Sequence, residues 1–140
     1  KALGYRRVAL TDRNNLYGLW PFLAACRKYN LQPIIGSEIT QPDGRSRATC
    51  LVRDGQGYKN LCNLISRRHT SASFDLTESL NEYGAGLFIL AADPALLENL
   101  KTAGISPIAD LGARPTPQAG ALRKWAASRG IAAVAGAPSQ

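Results

Sequence analysis

The chain has 140 residues, 45% of them hydrophobic and 19% charged, enough for one globular domain with a real core. No apolar run approaches the roughly 20 residues that a membrane-spanning helix needs, and the start carries no signal-peptide pattern, so no membrane-spanning helix is expected in these residues. The net charge of +7 is lopsided: residues 1–70 hold 12 Lys and Arg against 4 Asp and Glu, giving +8, and residues 71–140 hold 5 against 6, giving −1.

Residues 6–12, "RRVALTD", read as a buried strand that stops at a carboxylate, Asp12, followed by loop residues Arg13 and Asn14. In residues 16–30, Leu19, Phe22, Leu23 and Cys26 follow the spacing of an amphipathic helix. Pro21 suits its first turn, and Asn30 suits a left-handed end. "QPIIGSEIT", residues 32–40, is a second strand. The Asp-Gly pair of "QPDGR" turns the chain into a third, residues 47–54. Tyr58, Leu61, Cys62 and Ile65 mark a helix over 57–69. Asp75 with Glu78 three residues on opens another, which ends at Gly84. "LFILA" is a strand over 87–91. Asp93 and Pro94 start a helix that Gly104 closes, and residues 106–112 form a strand. Residues 112–120 are a loop into a helix capped by Thr116 and closed by Gly130, and residues 131–137 form a last strand.

Strands alternating with helices through short loops imply βα units and a mainly parallel sheet. Function in such sheets collects beyond the strands' C-terminal ends. Asp12 lies at one such end, and Glu38 lies just past Gly36 in the next strand. Two carboxylates from neighbouring parallel strands can converge on a divalent metal, although Asp12 equally suits the N-cap of the next helix. His69, the single histidine, follows Arg67 and Arg68 at a helix end, where a cation meets the negative end of the helix dipole. No Ser or Cys beside it carries the signature of a nucleophile, so a Ser–His–Asp or Cys–His hydrolase finds no support. "GQGYKN" matches no phosphate-binding loop and is assigned to turn geometry and capping. Trp20 and Trp125 fall in helical patterns and are read as core or interface packing. Cys26, Cys50 and Cys62 sit among apolar neighbours and read as buried free thiols in a reducing compartment, which places the protein in the cytoplasm. The basic half, with its pairs Arg6–Arg7, Arg27–Lys28 and Arg67–Arg68, suits a nucleic-acid partner as well as a solvated surface.

The stretch "ALGYRRVALTDRNNLYGLWPFLAACRKYNLQPIIGSEIT" followed by "GYKNLCNLISRRH" resembles the PHP (polymerase and histidinol phosphatase) domain of bacterial DNA polymerase III alpha-type subunits, most of all the error-prone branch. The family pattern runs close to "LGY-ALTDHGNLYG-ACKK-IKPIIGCE" and "GYKNLCKLIS-AH". The resemblance covers most of residues 2–69 and thereafter only the general layout. It implies an incomplete, TIM-like (β/α)7 barrel of mainly parallel strands, with residues 1–140 as one PHP-type domain. The first strand and the polymerase core would then lie outside the chain, which starts at Lys1 and contains no methionine.

Family members with intact sites resemble metal-dependent phosphoesterases that use zinc or manganese. On that pattern Asp12, Glu38 and His69 fall on ligand positions. Arg13 replaces the motif histidine, and Pro138 and Gln140 replace the aspartate and histidine of a closing "ATNDVH". A guanidinium is permanently protonated and cannot ligate a metal; at position 13 it is expected to pair with Asp12 instead. The resemblance therefore implies a vestigial site without cofactor in a structural and interaction domain. DNA and other polymerase or replisome subunits are its expected partners, and an exposed barrel edge offers a route to oligomers. The alternatives are an active phosphoesterase acting as a 3′→5′ exonuclease, and a basic nucleic-acid-binding module.

Overall fold

The computed structural model of the chain describes residues 7–14, 16, 18–112 and 115–134, and within residues 7–12 the backbone alone. Pro138 and Gln140 lie outside the described residues. Six strands, β1 (Arg7–Arg13), β2 (Gln32–Thr40), β3 (Arg47–Val52), β4 (Leu87–Ala91), β5 (Ile108–Asp110) and β6 (Ala132–Val134), form one sheet in chain order. Five helices, α1 (Leu19–Lys28), α2 (Gly55–Thr70), α3 (Leu76–Tyr83), α4 (Pro94–Thr102) and α5 (Pro117–Ser128), connect or cover them.

The sheet is mixed. β1 and β2 run parallel, as do β4, β5 and β6, while β3 is antiparallel to both of its neighbours. The reversal follows from the Asp43-Gly44 turn. Gly44 takes φ 76°, and the Gln41 and Gly44 amides donate to Ser46 and Gln41 carbonyls, each at 2.8 Å. Every strand except β3 therefore points its C-terminal end to one rim.

Strand alternation sorts the side chains. Ser37 and Ile39 of β2, Ala48 and Cys50 of β3, and Leu87, Ile89 and Ala91 of β4 are buried on one face. Leu61 and Leu64 of α2, Leu76 and Leu80 of α3, and Leu97 and Leu100 of α4 close over that core. Each such side chain contributes about 1.5–3 kcal/mol of burial. Thr49, Leu51 and Leu90, with the exposed Phe88, occupy the other face with Glu38.

The helix ends follow the expected punctuation. The side chains of Asp75, Asp93 and Thr116 accept from the amides of Glu78 at 2.9 Å, Ala95 at 3.1 Å and Ala119 at 2.9 Å. Asn30 ends α1 at φ 55°. Helix α2 starts two residues before the expected position because Asp54, read as the end of a strand, caps it; its carboxylate accepts from the Gly57 amide at 2.8 Å. Asp12, weighed as the cap of the next helix, lies in β1, and the N-cap position of α1 is Gly18.

Cys26 and Cys50 are buried, Cys62 is half-buried, and all three are free thiols. Burial pushes the Cys50 thiol up to about 12, so it stays protonated and unreactive at neutral pH. Trp125 packs against the core, but Trp20 is 77% exposed and is no core residue: at the start of α1 it lies beside the buried stripe rather than in it. Among the described residues no helix is long and apolar enough to cross a membrane.

Candidate functional site

Parallel pairing of β1 with β2 decides which side chains meet at the rim. In the register Asp12 stands opposite Ser37, and Arg13 stands opposite Glu38. Strand alternation assigns positions 12 and 38 to opposite faces of the sheet and positions 13 and 38 to the same face. The Arg13 guanidinium reaches Glu38, Nε to Oε1 at 2.9 Å. Arg47, entering β3 beside it, brings its Nε to 3.9 Å from the other carboxylate oxygen. The Asp12 side chain lies outside the described residues; the pairing recorded for Arg13 is with Glu38.

Beyond Arg13 the chain leaves the strand through Asn14, at φ 52°. Asn is one of the few non-glycine residues that visit this region at modest cost. Its main-chain amide donates to the Glu38 carbonyl at 2.7 Å. Its side-chain amide then imitates one more step of strand pairing: Nδ2 donates to Thr40 Oγ1, and Oδ1 accepts from the Thr40 amide, both at 2.9 Å. The Asn14 carbonyl meets His69 Nε2 at 2.5 Å. A carbonyl oxygen only accepts, so that ring nitrogen carries the proton.

The last turn of α2 completes the rim. Arg68 donates from Nε to the Thr40 carbonyl at 2.6 Å and from Nη2 to Thr40 Oγ1 at 3.3 Å. His69 and Arg68 therefore lock the helix end onto the β1–β2 exit, and cations gather where the helix dipole is negative.

Of the residues singled out from sequence, Glu38 and Arg13 meet directly, and His69 joins them through Asn14. Thr40 and Arg47 were not foreseen, and Asn14 and Arg68 were read only as a loop residue and as one of a basic pair. A sequence signal existed only for Asn14, an Asn directly after a strand.

A divalent ion needs open lone pairs on carboxylate or ring nitrogen. Here Oε1 of Glu38 is held by a guanidinium, Nε2 of His69 is a donor, and position 13 offers no lone pair. Among the described residues no three His, Cys, Asp or Glu side chains gather as a metal-binding group. Glu38 keeps acceptor capacity on its second oxygen, which has only Arg47 at 3.9 Å beside it. The described rim is a hydrogen-bonded clasp in which the Glu38 carboxylate lies between two exposed guanidiniums.

Comparison with known proteins places this geometry among relatives. The PHP domain matches residues 1–109. Error-prone DNA polymerase of Pseudomonas aeruginosa is 38% identical over 92 residues, covering 63% of this chain and 9% of that protein. DNA polymerase III subunit alpha of Chlamydia pneumoniae is 35% identical over 105 residues, covering 63% of this chain and 8% of that protein. The chain thus spans less than a tenth of the length of these relatives. A structure described as a candidate metal-dependent phosphoesterase, from Bifidobacterium adolescentis, matches with a TM-score of 0.65 at 12% identity, covering 96% of this chain and 77% of that one. An amidohydrolase from Chromobacterium violaceum, solved with sulfate and no metal, gives 0.65 at 15% identity over 97% and 78%. At such identities the likeness is one of fold.

Proposed function

The chain belongs to the PHP domain family, and on that footing we propose that it is the PHP domain of a bacterial DNA polymerase III alpha-type subunit of the error-prone branch, with a structural and interaction role in replication or repair. Its site is vestigial. One observation carries this reading: the Arg13 guanidinium lies 2.9 Å from Glu38, at a position where the family pattern has a histidine. A fixed cation there satisfies the acid electrostatically and repels a metal ion from the same spot.

The domain would belong to an incomplete (β/α)7 barrel. β1 is an edge strand of the described sheet, a place where further strands or another copy could pair. Cytoplasmic DNA and polymerase or replisome subunits are the partners this assignment entails, and the basic first half of the chain complements DNA.

The competing reading is an active phosphoesterase with zinc or manganese, favoured by Glu38 and His69 reaching the same rim. Incubation of the purified protein with labelled single-stranded DNA and either Zn²⁺ or Mn²⁺ separates the two. No hydrolysis above the protein-free blank is expected. Metal-dependent hydrolysis that disappears in Glu38→Gln would establish the phosphoesterase instead.

A further inference from the structure

Helix α1 turns a second feature outward that the strand-end rim does not use. Its buried stripe is Leu19 and Cys26, with half-buried Phe22 and Leu23 between them, packed on β1 and β2. At 100° per residue, Trp20 and Arg27 fall about 20° apart on the helix, with Ala24 and Lys28 completing the same flank. Trp20 is 77% exposed, and Ala24, Arg27 and Lys28 are exposed. α1 contains no acidic residue. Among the described residues neither Arg27 nor Lys28 forms an ion pair with a carboxylate. The Lys28 ammonium stands over the ring of Tyr29 at 5.5 Å, and Tyr29 is itself 54% exposed.

We infer that the outer flank of α1 is a binding surface for single-stranded nucleic acid, with Trp20 as a stacking platform for a base and Arg27 and Lys28 as phosphate contacts. The two parts lie about 10–12 Å apart along the helix axis, so one short strand laid along the helix spans both. Stacking on an exposed aromatic with cations following the backbone is the usual physics of binding single strands without sequence preference. A protein partner fits this surface less well. Leu19, Phe22, Leu23 and Cys26 of α1 face inward, and Trp20, flanked by Arg27 and Lys28, has only Pro21, two alanines and Tyr29 as exposed apolar neighbours, less than the large apolar patch that a protein interface needs. Charge complementarity selects a polyanion, and the aromatic selects one that carries bases.

The inference stands apart from the reading of the strand-end rim, because binding is measured in chelator, where no metal-dependent cleavage can occur. The purified protein is titrated into a labelled 12-nucleotide oligothymidylate, and anisotropy is followed at several salt concentrations in EDTA. Trp20→Ala is expected to weaken binding about ten-fold or more. Arg27→Glu with Lys28→Glu is expected to weaken it further and to flatten the salt dependence by about 1.4 in log–log slope. Arg123→Glu with Lys124→Glu, exposed on α5, makes the same change in net charge and is expected to stay within about three-fold of the parent. Trp20 is exposed, so its removal leaves the fold intact, as circular dichroism would confirm. Equal losses from the two charge reversals, or an unaltered affinity in Trp20→Ala, would overturn the assignment. Displacement of the oligonucleotide by a polyglutamate peptide at matched charge would also overturn it, in favour of an acidic protein partner.

Discussion

Gly57→Ala is expected to destabilise the fold by about 3 kcal/mol or more, lowering the melting temperature by roughly 10 °C. Gly57 sits in the first turn of α2, where its amide is held by the Asp54 cap. The turn before β4 presses directly against it: a Cβ at position 57 would overlap the Gly86 carbonyl oxygen and fall 2.6 Å from the carbonyl carbon. That obstacle is backbone and cannot rotate away. It is also tied down, because the Arg53 amide donates to the Gly86 carbonyl at 2.9 Å and the Asn60 side chain donates to the Ala85 carbonyl at 2.7 Å. Relief would have to come from lifting the start of α2, which carries Arg68 and His69 at its other end. Gly55→Ala is the matched control. Nothing lies within 4 Å of its added methyl, so a neutral or stabilising change of up to about 1 kcal/mol is expected. Denaturant unfolding followed by circular dichroism measures both, and equal stabilities would show that the approach of α2 to the turn is looser than described.

The second large effect belongs to the rim. Asn14→Ala is expected to cost about 2–4 kcal/mol. Two side-chain bonds to Thr40 are lost, each contributing about 1 kcal/mol, and alanine at φ 52° adds about 1–2 kcal/mol of backbone strain. Asn14→Asp keeps the acceptor and the tolerance of the left-handed region and should lose about half as much. Arg13→Ala should change stability by less than about 1 kcal/mol, since Arg13 is 67% exposed and its ion pair with Glu38 is screened by water. The order of the three, read from the same unfolding curves, is the test. An Arg13→Ala variant less stable than Asn14→Ala would mean that the ion pair, not the asparagine, holds the rim.

That contrast explains what could be read from the chain alone. β2 and β4 were legible to the residue because short β-branched and apolar runs lie between strong turn signals. The caps at Asp75, Asp93 and Thr116 were legible because each precedes a helical period by the right spacing. The hairpin of β2 and β3 was visible in Asp43-Gly44. Asp54 was misplaced because an acid after a strand and an acid before a helix look alike until the gap between the elements is known. The α1 N-cap was ambiguous for the same reason: Asp12 was available, but the strand runs one residue past it and α1 waits until Leu19. At the rim, the residue types were legible, but the meeting of Arg13 with Glu38 was not. That contact depends on the register of two parallel strands, which hydrophobic pattern alone does not set to the residue when one face is only partly buried. Trp20 was read as core or interface packing, and its place outside the core was not legible because periodicity does not resolve the edge of a stripe from its centre.

The central claim is that a guanidinium occupies the place of a metal ligand and that Glu38 is already committed to it. Elemental analysis of the protein, purified without chelator from cells grown in zinc- and manganese-replete medium, tests this most directly. Metal well below one ion per chain is the predicted result, and Arg13→Ala alone should not restore it, because Nε2 of His69 remains committed to Asn14. Zinc or manganese at one or more ions per chain, held through dialysis and lost on Glu38→Gln, would contradict the account.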